Sequence, residues 1–352
     1  MQNDLFINGR FLTQRISGVQ AFAREICREL MKKTNFVILV PKNAVLYDDE
    51  FLDKIKKTGV YSGHLWEQIS LPLFVNQHSN AILLNLCNTG PIFLRKQICT
   101  VHDLAFLQNQ NWFNPIFKYI YSYLIPRLIK SSYAVLTVSK TIKNELIQEY
   151  KIEKKKITVV TNKVGQNLFN VNQIKEFDKR LQSNDFFLMV GSNNQRKNSS
   201  FVERLFKEQM PNHKLVIVGG SHCSFSNNEN LKTDYYNIIK LDYVNDEKLV
   251  WLYKNAICLI NPSLYEGFGI PNIEAMMFGC PVVCSDIKVF REICKQAAFY
   301  FDVNKQDTLK TILTSDIKNK ELTELKRKEG EVIFKELQYS ERADIILKLL
   351  TI

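Results

Sequence analysis

The stretch that decides the fold is Asn261-Pro-Ser-Leu-Tyr-Glu-Gly-Phe-Gly-Ile-Pro-Asn-Ile-Glu-Ala-Met-Met-Phe-Gly-Cys-Pro281. The apolar run 256–260 before it predicts a buried strand. Pro271 suits a first helical turn and Gly279 the position past a last one, so a helix is predicted between them. Strand, glycine-bearing loop and helix in that order aim backbone N–H groups and the positive end of a helix dipole at one point beyond the strand, which suits a phosphate. Gly267 and Gly269 let a ligand approach the backbone closely. Glu266 lies in the loop and Glu274 one turn into the helix. Carboxylates repel a phosphate, so these two read as acceptors for sugar hydroxyls.

The same alternation continues outward. In the second half, strands are predicted at 186–190, 214–218, 238–241, 281–284 and 298–301, and helices at 198–208, 246–254 and 271–278, with a charged helical tail from Lys305. A Gly/Ser/Asn-rich loop occupies 219–230. In the first half, strands are predicted at 5–8, 36–40 (stopped by Pro41), 81–86, 98–101, 133–138 and 157–160, and helices at 18–33, 65–75, 113–130 and 139–150. The polar segment 162–185 reads as the linker. Strands alternating with helices mean parallel sheets covered on both faces, so the fold class is α/β with two doubly wound domains. Ligands bind such sheets at the carboxyl ends of the strands, and with two domains the cleft between them is the default site.

Of the 352 residues 45% are apolar and 24% charged, which excludes a disordered, collagen-like or coiled-coil chain. The net charge of +11 resides entirely in the first half: residues 1–175 hold 23 Lys/Arg against 12 Asp/Glu, and residues 176–352 hold 24 of each. A basic half fits nucleic acid, an anionic membrane or a phosphorylated substrate, or is a Lys-rich solvated surface. The eight cysteines form no CxxC pair, and Cys280-x3-Cys284 has no partner at zinc-ligand spacing. Free thiols in a reducing cytoplasm are expected. The start lacks a signal-peptide pattern, and no run approaches the ~18 apolar residues of a membrane span, so any membrane contact is expected to be peripheral.

Glu266-x7-Glu274, set in Pro262-Ser-Leu-Tyr-Glu-Gly-Phe-Gly-Ile-Pro271 and closed by Glu274-Ala-Met276, resembles the signature of retaining GT-B glycosyltransferases, and among them glycosyltransferase family 4. The resemblance implies two Rossmann-like domains facing across a cleft. Residues 1–172 would take the acceptor and residues 173–337 the nucleotide sugar, with a helix at about 338–352 crossing back to the first domain. It further implies that Glu266 contacts the donor sugar, that Glu274 holds the ribose, and that the backbone of Gly267, Phe268, Gly269 and Ile270 holds the diphosphate.

Five further segments resemble the family. In Val190-Gly-Ser-Asn-Asn-Gln-Arg-Lys-Asn198, Lys197 matches the family lysine, and it and Arg196 are placed to neutralise a diphosphate leaving group. Many members carry an arginine where Ser192 stands; whether Arg196 takes its place the spacing leaves open. In Asn8-Gly-Arg-Phe-Leu-Thr-Gln-Arg-Ile-Ser-Gly-Val-Gln20, Gly18 would meet the donor phosphates, while Ala21 stands at an arginine position and Arg24 follows a turn later. In Thr100-Val-His-Asp-Leu104, His102 would point into the cleft near the reacting carbon. In Leu241-Asp-Tyr-Val-Asn-Asp-Glu-Lys-Leu249, Tyr243 and Val244 are the candidates for the nucleobase, with Asp246 as helix N-cap. Gly63-His-Leu-Trp-Glu-Gln68 reads as a wall near the acceptor.

No Gly-x-Ser-x-Gly elbow, Walker loop or Gly-x-Gly-x-x-Gly fingerprint occurs. Asp48-Asp-Glu50, the nearest approach to a metal-binding Asp-x-Asp, reads as a solvated turn, so no metal cofactor is expected. The implied reaction is retaining transfer from a nucleoside-diphosphate sugar, with GDP-mannose leading and UDP- and dTDP-sugars behind. The acceptor would be a hydroxyl of a glycan or a polyprenyl-diphosphate-linked chain, in bacterial O-antigen or capsule (lipopolysaccharide-type) assembly. His102, Lys197 and Glu266 would carry the catalysis. Lys54, Lys56, Lys57, Lys151, Lys154, Lys155 and Lys156 are placed to meet anionic headgroups at the cytoplasmic membrane face. The aromatics Trp112, Phe113, Phe117, Tyr119, Tyr121 and Tyr123 read chiefly as a packed helix face. Two rivals stand beside this reading. One is a catalytically silent homologue serving as a partner or nucleotide-sugar-binding module, motivated by Ser192 and Ala21. The other is a nucleic-acid-binding α/β protein, which no motif supports.

Overall fold

The computed structural model describes residues 4–108, 112–172, 174–175, 178–191, 194–219 and 235–350. Ser192, Cys223 and most of the Gly/Ser/Asn-rich loop lie outside these. The first half runs β1 (Asp4–Asn8), α1 (Gly18–Met31), β2 (Val37–Pro41), β3 (Ile55–Thr58), α2 (Gly63–Leu65), α3 (Leu71–Asn76), β4 (Ala81–Asn85), β5 (Gln97–Val101), α4 (Ala105–Gln108), α5 (Pro115–Ser131), β6 (Ala134–Thr137), α6 (Lys140–Tyr150) and β7 (Ile157–Val159). The second half runs β8 (Phe186–Val190), α7 (Ser199–Glu208), β9 (Lys214–Val218), β10 (Ile238–Leu241), α8 (Asp246–Asn255), β11 (Leu259–Asn261), α9 (Ile270–Met277), β12 (Val282–Ser285), α10 (Lys288–Cys294), β13 (Ala298–Phe301), α11 (Gln306–Thr314), α12 (Lys320–Gln338) and α13 (Arg342–Leu350).

The chain divides into two compact units. Met1–Leu104, Lys118–Asn162 and Ser340–Ile352 form the first; Ala105–Phe117 and Lys163–Tyr339 form the second. The division falls at residue 162, ten residues before the boundary at 172 read from the sequence. The polar segment that follows is bound to α12: Val164 N donates to Gln338 Oε1 at 3.0 Å, and the Phe169 and Phe334 rings pack with centroids 6.2 Å apart.

In the first unit seven parallel strands lie in the order β3-β2-β1-β4-β5-β6-β7. Phe6 sits in register with Val37 on one side and Leu83 on the other. Strands β4, β5 and β6 are buried along their whole length, as a sheet covered on both faces requires. Each fully buried Leu or Ile there contributes about 1.5–3 kcal/mol. Three sequence expectations change here. Ile55-Lys-Lys-Thr58, read as a basic cluster, is the edge strand β3; lysines hide its alternation, and they are also what keeps an exposed edge from pairing with another chain. Pro41 ends β2 from inside, paired with Thr58, where its missing N–H costs the ladder little. The buried side of α5 is aliphatic (Leu124, Ile125, Leu128, Ile129), while Tyr119 and Tyr123 are exposed. The helical stretch from Gly63 to Asn76 accommodates Pro72 by opening one π-turn over Trp66–Ser70.

The second unit holds six parallel strands in the order β10-β9-β8-β11-β12-β13. Phe187, Leu205, Phe206, Leu215, Ile260, Val283 and Leu309 pack in one core. The strand expected at 256–260 is shorter and later, because the Ala256 N–H still bonds to Leu252 O at the end of α8. The cap of α8 is Asn245, whose side chain accepts from Lys248 N at 3.1 Å; Asp246 is the first helical residue. Helix α10 was not read from the sequence. Among the described residues seven cysteines are free, six of them buried. Among the described residues no helix is long and apolar enough to cross a membrane.

Within the first unit α13 is pinned to α1 by Arg342. Its fully buried guanidinium bonds Glu29 Oε1 at 2.7 and 3.1 Å and Thr161 O at 3.2 Å. Removing one partner of such a pair strands the other, so Arg342→Met is expected to destabilise this unit by roughly 3 kcal/mol, read as the shift of its urea midpoint. Lys33→Ala, which breaks only the exposed pair with Asp344, should leave that midpoint near wild type.

Candidate active site

In the second sheet the strand order reverses between β8 and β11. The connections leaving two neighbouring strands then diverge and leave a crevice at their carboxyl ends. The connection after β8 carries Arg196 and Lys197, and the one after β11 carries Glu266. Asn194 caps the turn Gln195–Lys197 by accepting from Arg196 N at 2.8 Å, and Asn198, left-handed at φ 54°, turns the chain into α7. Leu264 N donates to Arg196 O at 2.9 Å and latches the two connections together.

Across that latch the side chains meet. Arg196 Nη1 donates to Tyr265 O at 2.8 Å and to Glu266 Oε2 at 2.9 Å, and Lys197 Nζ pairs with Glu266 Oε1. The Ser263 hydroxyl lies 2.9 Å from the same Oε1 and 2.8 Å from Asn261 Oδ1. Glu266 is buried, which on its own would raise its pKa, but Lys197 and Arg196 outweigh the burial and hold it at about 2. One carboxylate against two cations leaves the cluster with a surplus positive charge.

Helix α9 begins beside it. Gly269, at φ +95°, precedes the first turn, and a Cβ there would lie 2.5 Å from Phe290 Cε1, so only glycine fits. Asn272 braces the helix start: its Oδ1 accepts from Asn261 Nδ2 at 2.9 Å, and its Nδ2 lies 3.4 Å from Cys294 Sγ. Gly267 and Phe268 are buried and Ile270 is half-buried. Glu274, one turn in, is half-buried and accepts from the Tyr253 hydroxyl at 2.7 Å. Burial, with some help from Asp246, raises its pKa to about 6 despite that hydrogen bond. Tyr243 is exposed and Val244 half-buried, between β10 and α8.

The other candidates belong to the first unit. Gly18 is exposed and opens α1, with Gln20 reaching back to Ser17 N at 3.2 Å. Arg24 is buried and committed to Asp48 (2.6 Å) and Glu50 (3.2 Å), so the turn read as merely solvated is held by an ion pair. His102 is buried at the end of β5. Its Nε2 donates to Leu86 O at 2.9 Å, its ring meets Phe22 edge-on, and burial lowers its pKa, which keeps it neutral. At this sheet's own reversal, between β1 and β4, Glu67 is fully buried. It accepts from Asn8 Nδ2 and Thr89 Oγ1 at 2.9 Å each and from Arg10 Nη1 at 3.1 Å, and His64 lies 3.4 Å away.

Thus Arg196, Lys197 and Glu266 converge, with Gly269 just before the adjoining helix and Glu274 on it. Sequence reasoning did not single out Ser263, Tyr253, Asn272 or Arg10, and it named Glu67 only within the segment Gly63–Gln68 read as a wall near the acceptor. Ser263 was findable, three residues before Glu266 in the same motif. Tyr253 reaches Glu274 from another helix and had no local signal.

The two carboxylates should respond to pH in opposite senses. Glu266, depressed in the fold, stabilises above its ordinary 4.5 and loses that contribution as pH falls through about 2. Glu274, raised in the fold, costs stability that sets in above 4.5 and is complete above about 6. In denaturation at pH 7.5, Glu266→Gln is expected to be less stable than wild type. Glu274→Gln is expected to be more stable, by roughly 1 kcal/mol, with that gap closing near pH 4.5.

Residues 16–164 match the family described as Glycosyltransferase Family 4, and residues 171–331 match Glycosyl transferases group 1. The chain is 28% identical over 305 residues to the O-antigen chain mannosyltransferase RfbU of Salmonella typhimurium, covering 85% of this chain and 82% of that protein. It is 37% identical over 90 residues to the O-antigen chain mannosyltransferase B of Escherichia coli, covering 26% and 24%. The fold of WaaG, a glycosyltransferase involved in lipopolysaccharide biosynthesis, superposes with a TM-score of 0.70 over 98% of both chains at 12% identity. With two parallel Rossmann-like sheets and these two domain families in succession, the chain belongs to the GT-B glycosyltransferases, a family 4 domain followed by a group 1 domain.

Proposed function

We propose that this glycosyltransferase moves a mannosyl group from a nucleoside-diphosphate sugar, GDP-mannose first among the candidates, to a hydroxyl of a glycan or polyprenyl-diphosphate-linked acceptor, with retention and without a metal ion. The observation that carries the reading is the Arg196–Lys197–Glu266 cluster at the β8/β11 reversal, beside the amino end of α9. Expelling a nucleoside diphosphate develops negative charge on a phosphate oxygen. A preorganised surplus cation and helix-terminal amides stabilise that charge without reorganising, which is usually the largest catalytic term. Glu266, ionised at any working pH, only accepts hydrogen bonds, so it serves sugar hydroxyls while anchoring the two cations. Glu274 is kept at a stability cost, as functional carboxylates are, and suits the ribose hydroxyls. Retention follows if the acceptor hydroxyl attacks from the leaving group's own face and passes its proton to the departing phosphate oxygen. His102 is assigned to the reacting sugar as a neutral imidazole, Gly18 to the donor phosphates, and Tyr243 and Val244 to the base.

Relatives named as O-antigen mannosyltransferases support the sugar and the setting. Lys56 and Lys57 on the exposed edge strand β3 support peripheral contact with an anionic membrane at its cytoplasmic face.

Thermal shift with GDP, UDP, dTDP, ADP and CMP tests the donor site. A ligand at about 100 times its Kd should stabilise the fold by roughly 2.7 kcal/mol. One nucleoside diphosphate is expected to raise the Tm, and Glu274→Ala and Lys197→Ala to abolish the rise. Binding without turnover of any nucleotide sugar would favour a silent homologue, and no shift with any nucleotide would sink the donor assignment.

A further inference from the structure

Tyr253, in the last turn of α8, is fully buried. Its ring stacks on Phe278 just past α9, with centroids 5.9 Å apart and planes 19° from parallel. Its hydroxyl crosses to α9 and donates to Glu274 Oε2 at 2.7 Å. Burial and the nearby Glu274 charge push the phenol's pKa far up, so it stays protonated and remains a donor. Among the described residues Glu274 Oε1 makes no hydrogen bond, and Glu274 is half-buried rather than closed in. One carboxylate oxygen is thus fixed and the other is left for a ligand. The charges around Glu274 are few. Asp246, in the first turn of α8, faces it with like charge, and Lys254 Nζ sits 5.8 Å over the Phe278 ring. Cys280, beside Tyr253, is a buried thiol held neutral. Helix α12 brings Gly330 to Met276, and its Arg327 donates to Gly279 O at 2.9 Å, beyond the end of α9. Strands β11 and β12 carry no ionisable side chain besides Cys284.

We infer that Tyr253 is the positioning residue of Glu274: it fixes one carboxylate oxygen so that the other meets the ribose, and it thereby sets a preference for ribonucleotide over deoxyribonucleotide. The inference rests on the donor reading above. The phenol acts in two ways. It orders a long side chain before the ligand arrives, so less rotamer freedom is lost on binding. It also supports the charged form of a carboxylate that burial and Asp246 oppose. Without that hydrogen bond the Glu274 pKa would rise above about 6, and near neutral pH part of the population would be protonated and a poorer acceptor. A site built to hydrogen-bond a hydroxyl rejects the analogue that lacks it, because its own polar group is left unpaired. Phenylalanine in place of Tyr253 would keep the ring and its packing on Phe278 and lose both effects.

Calorimetric titration of the full chain with GDP and with UDP, each beside its 2′-deoxy and 3′-deoxy counterparts, tests this. A nucleotide and its deoxy counterpart carry the same base and phosphates, so the ratio of their affinities isolates the ribose contact and cancels the titration of the phosphates. At about pH 8 the wild type is expected to bind the ribonucleotide about tenfold or more tighter than the counterpart lacking the contacted hydroxyl, the value of a hydrogen bond to a charged group. That ratio should fall as pH drops through about 6. In Tyr253→Phe the ratio is expected to shrink to about threefold or less, and its fall to set in at higher pH. Retained binding of the deoxy counterpart will show that this variant is folded. Should it not fold, the comparison is made in Glu274→Gln, where no charge is stranded: the phenol still orients the amide oxygen, so adding Tyr253→Phe should again lower the ratio. A ratio untouched by loss of the phenol, or equal weakening of both nucleotides at every pH, is the mark of a purely structural tyrosine and overturns the inference. Equal binding of ribo- and deoxyribonucleotide by wild type overturns it together with the ribose role of Glu274, and leaves the phosphate site standing. Failure of GDP and UDP alike to bind overturns the donor reading itself.

Discussion

The buried carboxylate of Glu266 between Lys197 and Arg196 is the interaction on which the arrangement of the second unit's strand-end loops depends. The strand order reverses at this point, so no helix crosses over the strand ends and two loops must be held against their tendency to diverge. One backbone bond, Leu264 N to Arg196 O, sets their spacing, and the ion cluster sets the side chains. Each charge is tolerable only because the others are there: removing the carboxylate would leave two partly desolvated cations facing each other, a cost on the order of 3–5 kcal/mol. The same arrangement keeps a positive surplus fixed in direction, which is what a departing phosphate needs.

The first unit solves the same problem with different parts. At the β1/β4 reversal Glu67 is fully buried and satisfied by Asn8, Thr89 and Arg10. Its carboxylate arrives on the π-turn of a helix rather than on the neighbouring loop. In both units a crevice at the carboxyl ends of parallel strands exposes backbone polarity and draws a charged group inward, and that charge in turn demands a counter-charge. The surroundings of the two glutamates differ in one chemically telling respect. Two cations outnumber the carboxylate at Glu266, whereas at Glu67 the charges balance apart from the half-exposed His64. An anionic leaving group is better served by the former.

Glu266 and Glu274 lie eight residues apart in one motif, yet the fold drives their pKa values in opposite directions, to about 2 and about 6. Burial acts on both. The difference lies in what each meets: cations from the β8 connection in one case, a neutral Tyr253 hydroxyl in the other. Identical side chains are thereby given separate roles, a permanent anion that anchors the site and a carboxylate whose ionisation the fold opposes.

The sequence by itself determined the architecture. The alternation of apolar runs and amphipathic helices, the polar boundary between the halves, and the strand–glycine–helix stretch at 256–279 were all legible, because backbone periodicity and glycine or proline placement are local properties. Lys197, Glu266 and Glu274 were legible for the same reason, being set at fixed offsets inside local motifs. Where locality failed, so did the reading. The edge strand β3 was hidden by its lysines, α10 lacked a start signal, and α5 buried its aliphatic rather than its aromatic residues because the sheet it packs on decides which face is covered. Only the tertiary structure brought Arg196 and Glu266 together across 70 residues, Tyr253 to Glu274 and Lys240 to Glu203. Those pairings depend on which strands are neighbours, and strand order is fixed by packing the whole sheet, not by any segment of the chain.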